Sequence, residues 1–95
     1  MKIWVDDLRP VPPEYIWAKS VNQAIAIIEK AEAAEETIEL LDLDHDLGDY
    51  CSDGGDAIKL LDWLAERGTF YPVEIHTANP VGRQNMERMV NRYWK

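Results

Sequence analysis

The stretch that most restricts this chain is Ile38 to Leu43, nearly continuous apolar sequence of strand length that breaks abruptly into Asp44-His45-Asp46. Such a run suits a strand of a parallel sheet with helices on both faces, because a strand covered twice has no solvent side to mark with polar residues. Parallel strands cannot be joined by tight turns, so the remaining residues must supply crossover segments, usually helical.

The rest of the chain has that rhythm. Ile3-Trp4-Val5 is a short run of β-branched and aromatic type, stopped by Asp6-Asp7 and then by Pro10, Pro12 and Pro13. Tyr15 to Ala18 is another candidate strand. Beyond it, Ser20 and Gln23 stand at the capping-box spacing and start a helix near Val21, with Ala24, Ile25, Ile28 and Ala31 along one face. A second helical pattern runs through Ile58, Leu61 and Leu64 to Gly68, a natural C-cap, and Tyr71 to Ile75 forms the last strand. Asn79-Pro80 reads as the N-cap and first residue of a third helix, with Met86, Met89, Val90 and Tyr93 on its apolar side. Trp4, Trp17 and Trp63 lie in periodic apolar segments and are expected in the core.

This order predicts one α/β domain over residues 1–95, a small open parallel sheet in a three-layer arrangement with about four strands, three helices and right-handed crossovers. One connection is awkward, since Leu8 to Glu14 gives only seven residues between the first two strands. Extended at about 3.3 Å per residue they reach far enough. The link then reads as a Pro-stiffened loop where a doubly wound fold has a helix, unless Tyr15 to Ala18 stays outside the sheet.

Composition narrows the function classes. At 46% hydrophobic residues with four Trp, the chain has material for an ordinary core without disulfides. Cys51 is the lone cysteine, which points to a reducing compartment, and the absence of a leader pattern or a long apolar run points to a cytoplasmic protein without membrane contact. A net charge of −8 argues against an extended nucleic-acid groove lined by Lys and Arg, but it is compatible with a single phosphate, a divalent cation or a basic partner.

In open parallel sheets, ligands bind outside the carboxyl ends of the strands. Those ends carry Asp6-Asp7, Lys19-Ser20, Asp44-His45-Asp46 and His76-Thr77-Ala78-Asn79. Carboxylates gathered in one crevice repel each other, and a hard cation relieves them; Asp6, Asp7 and Asp44 are therefore the candidate metal ligands, for Mg²⁺ or Mn²⁺, with Zn²⁺ left open by the two histidines. Asp42, Asp44 and Asp46 match the first spacings of a calcium loop, but Gly48 falls one place late and the segment is a strand. The turn Asn79-Pro80-Val81-Gly82-Arg83 offers backbone N–H groups, a small residue and a guanidinium, so Thr77, Asn79, Gly82 and Arg83, together with Arg9, are candidate phosphate contacts. His76 and His45, with Asp46 beside them, are candidate proton donors and acceptors, His76 the preferred one.

Structural readings stand beside these. Asp, Ser and Asn also cap and turn, Asn79-Pro80 is a good helix start in its own right, and strand alternation sends His45 away from Asp44 and Asp46 unless the chain turns there. The loop from Gly48 to Gly55, with Tyr50 and Cys51, is either a lid or a solvated connector.

Three segments together, Asp6-Asp7-Leu8-Arg9-Pro10, Leu43-Asp44-His45-Asp46-Leu47-Gly48 and His76-Thr77-Ala78-Asn79-Pro80-Val81-Gly82-Arg83, resemble the cyclic-phosphate processing receiver domain family. Thr77 stands where Ser is the more usual residue and keeps the hydroxyl. The resemblance implies a compact, truncated receiver-like, flavodoxin-like fold and a role on cyclic phosphate ends, as in RNA end processing or cyclic-nucleotide metabolism. It places Asp6, Asp7 and Asp44 at the acidic pocket of phospho-accepting receivers and Thr77 at their switch hydroxyl. The lysine that such receivers carry on a fifth strand has no counterpart, Lys19 and Lys59 being poorly placed substitutes. The implied activity is a metal-dependent phosphoesterase acting on a cyclic nucleotide or an RNA 2′,3′-cyclic phosphate end. The alternatives are a non-catalytic module for a cyclic nucleotide or protein partner, and a degenerate receiver phosphorylated on Asp44.

Overall fold

A computed structural model describes residues 1–94. The elements are β1 (Lys2–Val5), β2 (Tyr15–Ala18), α1 (Val21–Ala33), β3 (Leu40–Leu43), a 3₁₀ turn (Gly48–Ser52), α2 (Ile58–Arg67), β4 (Val73–Ile75) and α3 (Pro80–Tyr93). The four strands form one parallel sheet in the order β2-β1-β3-β4. Tyr15 to Ala18 thus joins the sheet as an edge strand, paired with β1 after the Pro-rich link. Val5 lies beside Ala18 and Leu43, and Leu43 beside Ile75, so the four strands finish level and their following residues emerge together.

Local sequence explains the element ends. Ser20 Oγ accepts from the N–H of Gln23 at 3.1 Å, while Gln23 Oε1 accepts from the N–H of Lys19 at 2.9 Å, a capping box shifted by one residue on its return bond. Gly68 closes α2 in the left-handed region at φ 70°, where a side chain would be strained. β4 starts at Val73 rather than Tyr71, because Pro72 has no N–H to give to the ladder and offers only its carbonyl, to Leu41. β3 starts at Leu40 rather than Ile38, although Ile38 is still buried in the core.

The three-layer expectation is corrected to two layers. Ile3, Val5, Leu41 and Leu43 are fully buried and pack with Ile28, Leu60, Leu61, Leu64 and Met86 from all three helices. By alternation the other face carries Lys2, Trp4, Tyr15, Trp17, Leu40, Asp42 and Glu74, and among the described residues no helix covers it. The reason is topological. The crossovers β2 to β3 and β3 to β4 advance in the same direction across the sheet, so right-handedness puts α1 and α2 on one side, and α3 packs on α2 and β4. The only connection running the other way, β1 to β2, contains no helix. Trp17 is consequently 36% exposed rather than in the core, Trp4 is partly buried on the helix-free face, and Trp63 is partly buried against the core. No helix among the described residues is long and apolar enough to cross a membrane.

Candidate functional site

The level strand ends open into a cleft of about 360 Å³. It is lined by Asp6, Asp7, Leu8 and Arg9 from the loop after β1, by Asp44, Asp46 and Gly48 after β3, and by Thr77, Ala78 and Asn79 after β4. Of the sequence candidates, Asp6, Asp7, Asp44, Asp46, Arg9, Thr77 and Asn79 therefore meet here. His76, His45, Gly82 and Arg83 do not line it.

Asp6 is the hub. Its Oδ1 accepts from the backbone N–H groups of Leu8 and Arg9, both at 2.9 Å, which folds the chain into a tight turn just past β1. Its Oδ2 accepts from Arg9 Nη1 at 3.2 Å and from His76 Nε2 at 2.9 Å. Burial alone would push this carboxyl up, but the backbone donors from Arg9 and Leu8, then the His76 and Arg9 side chains, hold it below the usual aspartate range. Asp7 goes the other way. Burial, and the negative charges of Asp6 and Asp44, hold its carboxyl above the usual range against the pull of its own backbone N–H and of Arg9.

Asp44 is buried, with Oδ1 accepting from the N–H of His45 at 2.8 Å and Oδ2 3.2 Å from Arg9 Nη1. Gly48 lets the loop pass close by. It sits at φ +54°, and a Cβ there would fall 2.3 Å from Asp7 Oδ2. The loop beyond is a 3₁₀ turn tied to the start of α1, where Asp53 accepts from Ser20 Oγ at 2.6 Å and from Asn22 Nδ2 at 3.0 Å.

His76 lies behind this cluster, on the helix-free face. Its Nδ1 is 2.6 Å from Asp42 Oδ1 and its Nε2 2.9 Å from Asp6 Oδ2, and the ring stacks on Trp4 with centroids 3.8 Å apart and planes 4° from parallel. Each ring nitrogen thus faces a carboxylate oxygen of the protein. Neither nitrogen is left free for a substrate. Asp42 and Trp4 are the partners that sequence reasoning missed. The available signal was an acidic residue inside an otherwise apolar central strand, which must find a partner when buried.

His45 occupies the other flank. Its Nδ1 is 2.8 Å from Asp46 Oδ1, and its ring packs over Gly82, where a Cβ would come within 2.5 Å of His45 Cγ. The small residue in the Asn79 turn thus makes room for His45, not for a phosphate. Asp46 also accepts from Asn79 Nδ2, at 3.1 and 3.2 Å, and the His45 hydrogen bond first, then that of Asn79, keeps its carboxyl below the usual range against some burial. The chain has turned after Asp44, which removes the alternation that would have separated His45 from Asp46.

The proposed phosphate seat at α3 is largely spent on capping. Asn79 Oδ1 accepts from the N–H of Gly82 at 3.0 Å, and the N–H of Asn79 donates to Thr77 Oγ1 at 3.2 Å. Arg83 turns away, donating from Nη2 to the Thr77 carbonyl at 3.3 Å and lying 3.7 Å from Glu87, beside Val73 and Ile75. Its place one turn into α3 directs it to the sheet edge instead of the cleft. Lys19 lies over the rings of Trp17 and Tyr50, and Lys59 beside Asp62, so neither serves Asp44.

The model of the family described as cyclic-phosphate processing receiver domain matches residues 1–92, and the chain belongs to that family. Comparison with curated proteins and with solved structures gave no match.

Proposed function

We propose that the cleft takes the cyclic phosphate of a nucleotide or of an RNA 2′,3′-cyclic phosphate end and opens the ring by hydrolysis. The observation behind this reading is the mixed lining of the cleft: a guanidinium, a hydroxyl and an amide set opposite four carboxylates, in a family described by cyclic-phosphate processing. Arg9 and the Thr77 hydroxyl are placed to hold the phosphate oxygens.

In the hydrolysis, a water oxygen bonds to phosphorus, one ester P–O bond breaks, a base takes the proton from water and the departing oxygen gains one. Asp46 is the base this geometry favours. It lines the cleft, and His45 Nδ1, 2.8 Å from its Oδ1, and Asn79 Nδ2 hold it in position. The departing oxygen draws its proton from solvent at the open mouth. The symmetric scheme with His76 as one partner is set aside because both of its ring nitrogens are engaged.

The donor set suits a hard divalent cation, Mg²⁺ or Mn²⁺, since Asp6, Asp7 and Asp44 offer oxygens within 4.8 Å of one another. Asp7 and Asp44 are the residues that would hold it, because the four acceptor positions of Asp6 are already used. Such an ion supplies Lewis-acid polarisation of a phosphoryl oxygen and offsets the negative charge of the cleft.

The test is ³¹P NMR of the whole chain with nucleoside 2′,3′-cyclic phosphates, with and without Mg²⁺ or Mn²⁺. Conversion to the monoester is expected, slowed roughly 100-fold or more by Asp46→Asn. A non-catalytic binding module is the second reading, favoured by the absence of both histidines from the lining. Calorimetry giving tight binding, with the ligand recovered intact under every ion, would establish that reading in place of hydrolysis.

A further inference from the structure

We infer that the Arg9 guanidinium is the standing counter-ion of the acidic crevice and holds the position of a divalent cation, which enters only as Arg9 leaves. The inference rests on the proposed reading of Asp7 and Asp44 as metal ligands. Arg9 Nη1 lies 3.2 Å from Asp6 Oδ2 and 3.2 Å from Asp44 Oδ2, bridging buried carboxylates that follow the two central strands. One nitrogen between two such oxygens neutralises them as a bound ion does.

Local structure delivers it there. The turn that gives Asp6 Oδ1 the N–H groups of Leu8 and Arg9 brings the Arg9 side chain back over the carboxylate of its own turn. Asp44 has Oδ1 on the N–H of His45 and Oδ2 3.2 Å from the Arg9 guanidinium, so an ion bound at Oδ2 stands against a like charge unless Arg9 moves aside. Asp7 forms no ion pair among the described residues. It is the ligand already open to an incoming ion.

The Arg9 side chain is 44% exposed and lines the same cleft, so on leaving the carboxylates it can turn to an anion bound there. Metal and phosphate then each favour the other, because the guanidinium serves the carboxylates in one state and the phosphate in the other, and such coupling is reciprocal.

Mn²⁺ binding by electron paramagnetic resonance, on the folded whole chain without other ligand, decides the matter. Arg9→Gln should bind Mn²⁺ about tenfold tighter or more than the parent, and Arg9→Lys, with a shorter reach and a single ammonium, should fall between them. Arg9→Lys keeps the test open if Arg9→Gln does not fold. Lys19→Gln removes a charge held on the Trp17 and Tyr50 rings and should leave the affinity unchanged. Equal affinity in Arg9→Gln and parent overturns the inference, as does an equal gain in Lys19→Gln, which would mark a general field effect. If neither parent nor Arg9 variants bind Mn²⁺, the inference falls with the metal assignment. Calorimetry of cyclic phosphate in chelator then tests separately whether the cleft still binds its proposed ligand.

Discussion

His76 and His45 flank the same cleft and each holds a carboxylate, yet they are built differently. His76 is locked on every side, with Asp42 on one nitrogen, Asp6 on the other and Trp4 against its ring, all on the helix-free face of the sheet. His45 is held at one nitrogen by an exposed Asp46 and at its ring by the backbone of α3. The first arrangement uses one ring to keep two buried acids together. The second leaves a ring nitrogen without a hydrogen-bond partner among the described residues and ties the ring to a carboxylate that lines the cleft. A histidine near a strand end therefore says little about catalysis until its second nitrogen is accounted for.

The sharpest way to break this contrast is truncation. His76→Ala leaves Asp6 and Asp42 buried without their shared partner and should cost about 3 kcal/mol of stability, read from urea unfolding. His45→Ala loses a pair whose carboxylate is 58% exposed and should cost about 1 kcal/mol or less from that interaction. Equal costs for the two substitutions would erase the distinction.

Gly82→Ala probes the His45 flank from its other side. A Cβ 2.5 Å from the ring must push it off Asp46, at a cost of about 1–3 kcal/mol, and the His45 ring resonances should shift in NMR while those of His76 stay in place.

The smallest expected effect distinguishes Asp6 from Asp7 by pH. The Asp6 carboxyl is held below the ordinary aspartate value of 3.8 in the fold, so its stabilisation is fully present above that pH and is lost as pH falls through the folded value. The Asp7 carboxyl is held above 3.8, so its ionisation opposes folding once pH rises past the folded value and not below 3.8. Asp7→Asn should then raise the melting temperature at neutral pH, by less than about 1 kcal/mol in stability, and lose that advantage in acid. A gain that persisted below pH 3.8 would contradict the cause given for the shift.

Much of the architecture was legible because it depends on local pattern. Ser20, Gly68 and Asn79-Pro80 mark helix ends by backbone chemistry, and the tips Asp6, Asp44 and Thr77 follow once the strands are placed. The expected third layer fails because the run Ile38 to Leu43 has the apolar content of a doubly covered strand while only one face of the sheet carries helices. Lys2 and Trp4 alternating with Ile3 and Val5, and Asp42 and Glu74 in register with Trp4, were the marks of an open face. The site was legible in location and less so in roles. Whether Gly82 admits a phosphate or a histidine ring, and whether Arg83 faces the cleft or the sheet edge, depends on how α3 is rotated over β4. That rotation is set by packing at Met86, a long-range contact with no local signature.

The stack of Trp4 on His76 gives the molecule an internal optical gauge. An indole lying 3.8 Å from an imidazole ring, with planes 4° from parallel, is a fluorophore whose emission reports on that contact. Trp4 emission is expected to change when Asp6 is drawn away from His76, read against Trp4→Phe because the chain carries three other tryptophans.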